Sequence, residues 1–278
     1  MMIKTGLACV VWLLAAGSVV AANLTLSREP IQGGLVQGRT APGAVVTLDG
    51  GKVAVAKSGL FVLGFGRDAW PTASLVVRLP GGNIDRRQLA VKQRNYKIQR
   101  IDGLPGRKVS PTKQDMKRIN AERKQLRAAR RVMSADPRFT GGFMWPVTGR
   151  VSGIYGSQRI LNGEKRRPHF GVDIAAPTGT PIVAASDGRA LLVHQDMFFT
   201  GKTVMIDHGL GIGTIYIHMD AIEVKKGALV RRGQVIGRIG MTGRATGPHL
   251  HWGLTWRGVS LDPALMVGPM PKVAKNKK

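Results

Sequence analysis

Residues 246–254 read TGPHLHWGL. From His249 onward, Leu250, Trp252 and Leu254 fall at every second position, the period of a β-strand with one buried face. Side chains two apart on a strand project from the same face, so His249 and His251 stand side by side. The chain has only six histidines. A pair aligned in this way does chemistry only if further polar groups from elsewhere in the chain meet it.

The first such partner lies in PHFGVDIAAP, residues 168–177. His169 and Asp173 are separated by an even interval, so on an extended segment they also share a face. Asp173 stands between Val172 and Ile174, where a carboxylate is costly without a cation or metal beside it. Imidazole nitrogen and carboxylate oxygen are both zinc ligands, at about 2.0–2.2 Å. His169, Asp173 and one histidine of the 249/251 pair make three ligands, the number a catalytic zinc takes while keeping one position open. The other histidine of the pair is then free for proton transfer or oxyanion stabilisation. A further candidate is His218 in TIYIHMD, where alternation puts Tyr216 and His218 on one face and Ile215 and Ile217 on the other. His208 and His194 are read as structural.

These three separated motifs, His169-x-x-x-Asp173, Tyr216-x-His218 and His249-x-His251, resemble those of the lysostaphin/LytM-type zinc metallopeptidases, the M23 peptidase family. The resemblance covers about residues 143–265 and extends to GVDIAAPTGTPIVAASDG and VKKGALVRRGQVIGRIGMTG. It implies one zinc ion held by His169, Asp173 and His251, with His218 and His249 as the catalytic histidines. It also implies hydrolysis of peptide crosslinks of peptidoglycan, in which a zinc-activated water attacks the amide carbonyl. The flanks of His218 depart from the family: Ile217 stands where a small residue is more usual, and Asp220 where Ser is more common. No H-E-x-x-H is present to supply a glutamate base. The alternative within the same fold is a non-catalytic LytM-type activator of cell-wall amidases, which lacks zinc ligands that this chain retains. A basic binding protein with a structural metal is a second alternative, disfavoured because structural zinc sites are closed by four protein ligands.

Outside that region the pattern is also mainly β. Residues 23–95 contain short alternating strands, such as GAVVTLDG and KVAVAKSGLFVLGF, with turns at Asp49-Gly50-Gly51 and Lys57-Ser58-Gly59. They predict a small β-sandwich-like module without histidine or cysteine. Residues 96–139 read as a basic linker with a helix over 112–133, capped by Thr112 with Asp115 as its capping-box partner. Met116, Ile119, Leu126 and Met133 form its apolar stripe. From Arg94 to Arg131 thirteen Lys/Arg face three acidic residues, a net of +10. Residues 140–268 are expected to form the glycine-rich antiparallel β peptidase domain, and 269–278 a basic tail.

Composition adds a location and a partner class. Lys4 followed by the uncharged stretch Gly6–Ala22 reads as a secretory signal, residues 1–22, with small residues at Ala21 and Ala22 for cleavage. Left uncleaved, it would keep the protein near a membrane. Cys9 is the only cysteine and lies inside that segment, so the mature chain has no disulfide to form. The net charge of +26 calls for an acidic partner. Export and the lack of any base-reading motif argue against nucleic acid. An acidic cell-wall surface and the carboxylates of peptidoglycan stem peptides fit better, in a Gram-negative periplasm or envelope.

Overall fold

The structure, a computed structural model, describes residues 24–271. The expected signal at 1–22 and most of the basic tail at 269–278 lie outside the described residues. Among the described residues no helix is long and apolar enough to cross a membrane.

The N-terminal strands form two antiparallel sheets. One joins Thr25–Leu26, Leu35–Arg39 and Leu60–Gly64; the other joins Gly51–Val53, Val45–Leu48, Thr72–Arg78 and Ile84–Ala90. Phe61 and Leu63 from the first sheet, and Val46, Leu75 and Val77 from the second, are buried in one cluster. Two sheets sharing such a core are the sandwich expected from the alternation. The Asp49-Gly50 turn has φ of 48° and 76°, and Leu48 pairs with Gly51. This is the left-handed pair that a two-residue hairpin requires, and Asp-Gly supplies it at little cost.

The C-terminal part is built on a ten-stranded sheet. Its main path runs Leu229–Val230, Gly188–Met197, Gly201–Gly209, Ile212–Ile222, His249–Trp256, Val172–Ala175 and Arg150–Gly153. Every pairing along it is antiparallel. Val172, Ile174, Tyr216, Leu250 and Trp252 point into the main core, which leaves the opposite face for polar residues.

The 94–131 segment does more than link. The Lys113–Arg130 helix starts at Thr112, whose side chain accepts the Asp115 amide at 3.1 Å while the Asp115 carboxylate accepts the Thr112 amide. Its Leu126 and Ala129 pack on the outer face of the sheet, against Leu192, Met197, Met205, Ile215 and Ile217. The helix is shorter than the sequence pattern suggested. It ends before Met133, which is 51% exposed, because the chain turns there and the Ser134 carbonyl accepts the Leu210 amide at 2.7 Å. Upstream of the helix, Ile98–Ile101 pairs in parallel with Gln158–Leu161, which pairs in turn with Glu164–Lys165. The basic segment therefore forms one wall of the region in front of His169.

The sandwich is fastened to the main sheet. Asp262, nearly buried, lies 2.9 Å from Arg94, its side chain accepts the Ala264 amide at 3.0 Å, and its own amide donates to Gly33. Gly64 passes so close to Trp256 that a methyl group there would lie 2.7 Å from the ring. Asp262→Ala is expected to cost about 2 kcal/mol, the scale of hydrogen bonds to charged groups. The check is a urea melt. An unchanged midpoint would show that this junction contributes nothing to stability.

Candidate metal centre

The Val172–Ala175 strand lies beside the His249–Trp256 strand in antiparallel register, with Asp173 opposite His251 and Ala175 opposite His249. Directly opposed residues share a face. Asp173, His249 and His251 therefore emerge together on the side of the sheet away from the core, as the spacing predicted. His169 arrives differently. It is not on the strand but in the irregular segment before it, and Gly171 intervenes. Its amide donates to the Ser157 carbonyl at 2.8 Å, and its ring is 1% exposed.

His218 also departs from simple alternation. The Gly201–Gly209 strand contributes Thr203 alone where the Ile212–Ile222 strand contributes both Ile217 and His218, a bulge. His218 takes a φ of 65°, uncommon for a residue with a Cβ. Tyr216 and Met219 on either side both point into the main core, whereas Ile217 lies on the outer face under the helix. The bulge turns His218 away from Tyr216 and brings it to the outer face. Its ring centroid lies 4.8 Å from His249 and 6.5 Å from His251. The shared face of Tyr216 and His218 expected from the sequence is thus corrected by one left-handed residue.

Three atoms converge at the centre. His169 Nε2 is 2.9 Å from Asp173 Oδ1 and 2.8 Å from His251 Nδ1, which is itself 2.8 Å from Asp173 Oδ1. His169 Nδ1 donates to the Ile154 carbonyl at 3.1 Å, which turns Nε2 toward the centre. Three lone-pair donors this close, from two imidazoles and a carboxylate, fit a shared cation better than one another. Burial alone would raise the Asp173 pKa. A proton shared between Asp173 and His169 or His251 outweighs burial and holds the carboxyl well below its usual range. Burial pushes His251 down to about 4, which keeps its ring neutral and able to ligate.

The two remaining histidines are oriented but not part of this triangle. His249 Nδ1 donates to the Gly247 carbonyl at 2.8 Å, and its Nε2 is 4.0 Å from Asp173 Oδ1. His218 Nδ1 donates to the Thr242 carbonyl at 2.7 Å. Burial, then the nearby His249 and His251, push its pKa down to about 3, so it is neutral at physiological pH. His208 is buried between the Asp187 carbonyl and Thr214 on the core side, a structural histidine as expected. His194 accepts the Asp196 amide and takes no part in the centre.

One contributor was not legible in the sequence. Arg159 donates to Asp173 Oδ2 at 2.6 Å, which leaves Oδ1 for the centre. It comes from the strand paired with Ile98–Ile101 and would pass for a solvated loop residue in the sequence. Outer partners of this kind orient a ligand and tune its charge.

The sequence profile described as Peptidase family M23 matches residues 167–263. The chain is 38% identical over 134 residues to peptidoglycan DD-endopeptidase ShyB of Vibrio cholerae serotype O1, covering 48% of this chain and 28% of that protein. It is 44% identical over 110 residues to peptidoglycan DD-endopeptidase ShyA of the same organism, covering 39% and 25%. It is 40% identical over 129 residues to DD-carboxypeptidase/endopeptidase Mpg of Neisseria meningitidis serogroup B, covering 46% and 30%. The chain thus spans between a quarter and a third of the length of these curated relatives. The crystal structure of a putative peptidase M23 from Pseudomonas aeruginosa is 31% identical, with a TM-score of 0.68. That match covers 86% of this chain and 95% of that one.

Proposed function

The chain belongs to the M23 peptidase family, and from that premise we propose that it is a zinc-dependent endopeptidase that hydrolyses peptide crosslinks of peptidoglycan. The observation that carries this reading is the convergence of His169, Asp173 and His251 within 2.9 Å of one another, with His218 and His249 beside them. His169 Nε2, Asp173 Oδ1 and His251 Nδ1 would hold the metal. Zinc bound there supplies a Lewis acid that polarises a peptide carbonyl and lowers the pKa of water to about 7.

The chain's own residues do the rest. Arg159 fixes the Asp173 carboxylate by its second oxygen. The carbonyls of Gly247 and Thr242 accept hydrogen bonds from Nδ1 of His249 and His218, which leaves Nε2 of each ring for proton transfer. A neutral imidazole accepts a proton from the attacking water, and a protonated one donates to the oxyanion or the departing amine. With no glutamate in the centre, these two rings are its proton carriers. Peptidoglycan stem peptides and the acidic wall surface are the partners this reading names, with export to a Gram-negative periplasm or envelope as the setting. The presence of all three ligating side chains and both further histidines counts against a non-catalytic amidase activator.

Removing the metal tests the proposal. Chelation of the purified protein is expected to abolish solubilisation of purified murein, and one equivalent of zinc to restore it. Murein cleavage that survives complete removal of metal would overturn the reading.

A further inference from the structure

A groove reaches the centre from its His169 and His251 side, between the Lys113–Arg130 helix and the loop before His169. Arg127 and Arg130 from the helix, Arg166 and Arg167 from the loop, and Arg159 and Arg244 reach its walls. Glu122 is the one acidic residue lining it among the described residues. Its carboxylate is already committed, to Arg118 at 2.6 Å and to the Phe198 amide at 2.9 Å. Arg159 is held by Asp173, and Arg166 by Glu164.

Arg130, Arg167 and Arg244 are different, as is the exposed Arg127. Among the described residues none has a carboxylate within ion-pair distance. Arg130 is mostly enclosed, and its Nε is buried without an acceptor. Burial and the charge of Arg167 both push its pKa down. Arg244 lies over Phe199 at 4.6 Å and also borders the cavity lined by His218, His249 and Asp173. Its one side-chain hydrogen bond is to the Lys108 carbonyl, at 3.3 Å. Burial, followed by Arg159 and Arg166, pushes its pKa down to about 10. Arg167 is exposed and lies over Phe170 at 5.4 Å, whereas guanidinium groups such as Arg130 and Arg244, drawn partly out of water without a counter-charge, are destabilising unless an anion joins them. The planar guanidinium fork matches a carboxylate in two parallel hydrogen bonds.

We propose that Arg130, Arg167 and Arg244 form a subsite that grips a free carboxylate flanking the scissile bond, so that the enzyme selects carboxylate-bearing peptides over amidated ones. The inference rests on the endopeptidase reading, because the groove is continuous with the centre and a peptide cut there extends into it. Within a crosslinked stem peptide, the carboxylate nearest the bond is the anion that such a groove would meet.

The test uses two synthetic crosslinked peptides that differ only in a free carboxylate or a carboxamide beside the crosslink. The full chain loaded with zinc is expected to cleave the acid with a kcat/KM about 10-fold or more above that of the amide. The difference should lie in KM. Arg244→Gln and Arg167→Gln should each erode that preference while leaving zinc content unchanged. Calorimetric binding of both peptides, and of inorganic phosphate, to the metal-free protein gives an independent reading. Equal kcat/KM for the two peptides, or equal binding, overturns the proposal, as does tighter binding of phosphate than of the acid peptide. Absence of cleavage together with an acid preference in binding that Arg244→Gln abolishes would keep the subsite and reject the endopeptidase reading.

Discussion

His251→Ala is expected to lose metal and activity together, whereas His249→Ala keeps the metal and loses turnover. The two residues are neighbours on one strand face, and the distances divide them. His251 Nδ1 lies 2.8 Å from both other ligand atoms, so its removal leaves two donors where the centre needs three. His249 Nε2 lies 4.0 Å from Asp173 Oδ1 and is oriented by Gly247, so its removal leaves the triangle intact. The expected loss for His249→Ala is about 10²–10⁴-fold in kcat, the range of general acid–base groups. Metal analysis of both variants beside hydrolysis rates checks this. Equal zinc in the two proteins, or equal loss from both, would show that the roles are assigned wrongly.

Gly171→Ala is expected to damage the centre without touching a ligand. A methyl group at Gly171 would lie 2.6 Å from Cε1 and Nε2 of His251, and 2.6 Å from the Trp252 carbonyl oxygen. The carbonyl belongs to a paired strand and cannot give way, so the imidazole must swing. Displaced support of this kind costs about 10–100-fold in metal affinity. The overpacking itself should cost about 1–3 kcal/mol in stability. Zinc competition with a chromophoric chelator measures the first and thermal melting the second. Gly81→Ala is the control, because nothing lies within 4 Å of a methyl group there. Wild-type zinc affinity in Gly171→Ala would mean that the His251 ring has room to move.

The parts of the centre that sequence reveals are those set by local period. His249 and His251 share a face because a strand repeats every two residues, and Asp173 stands out because it interrupts an apolar run. The helix start was legible because Thr112 and Asp115 form a capping box from side chains three apart. The rest depends on long-range or irregular backbone. No period in the sequence marks the bulge that carries His218 to the outer face, since a left-handed φ at a histidine has no residue signature. Arg159 and Arg244 look like solvated loop arginines until distant strands enclose them. The pairing of Ile98–Ile101 with Gln158–Leu161 joins segments some sixty residues apart, which made a wall look like a linker.

The most direct measurement of the central claim is mass spectrometry of the fragments that the zinc-loaded protein releases from a defined crosslinked muropeptide dimer. Cleavage by the centre formed by His169, Asp173 and His251 should give two monomers whose summed mass exceeds the dimer by one water, with the glycan–peptide bond intact. His251→Ala should give none. An uncut dimer in the presence of zinc, the same fragments from His251→Ala, or release of intact peptide from the glycan would contradict the account.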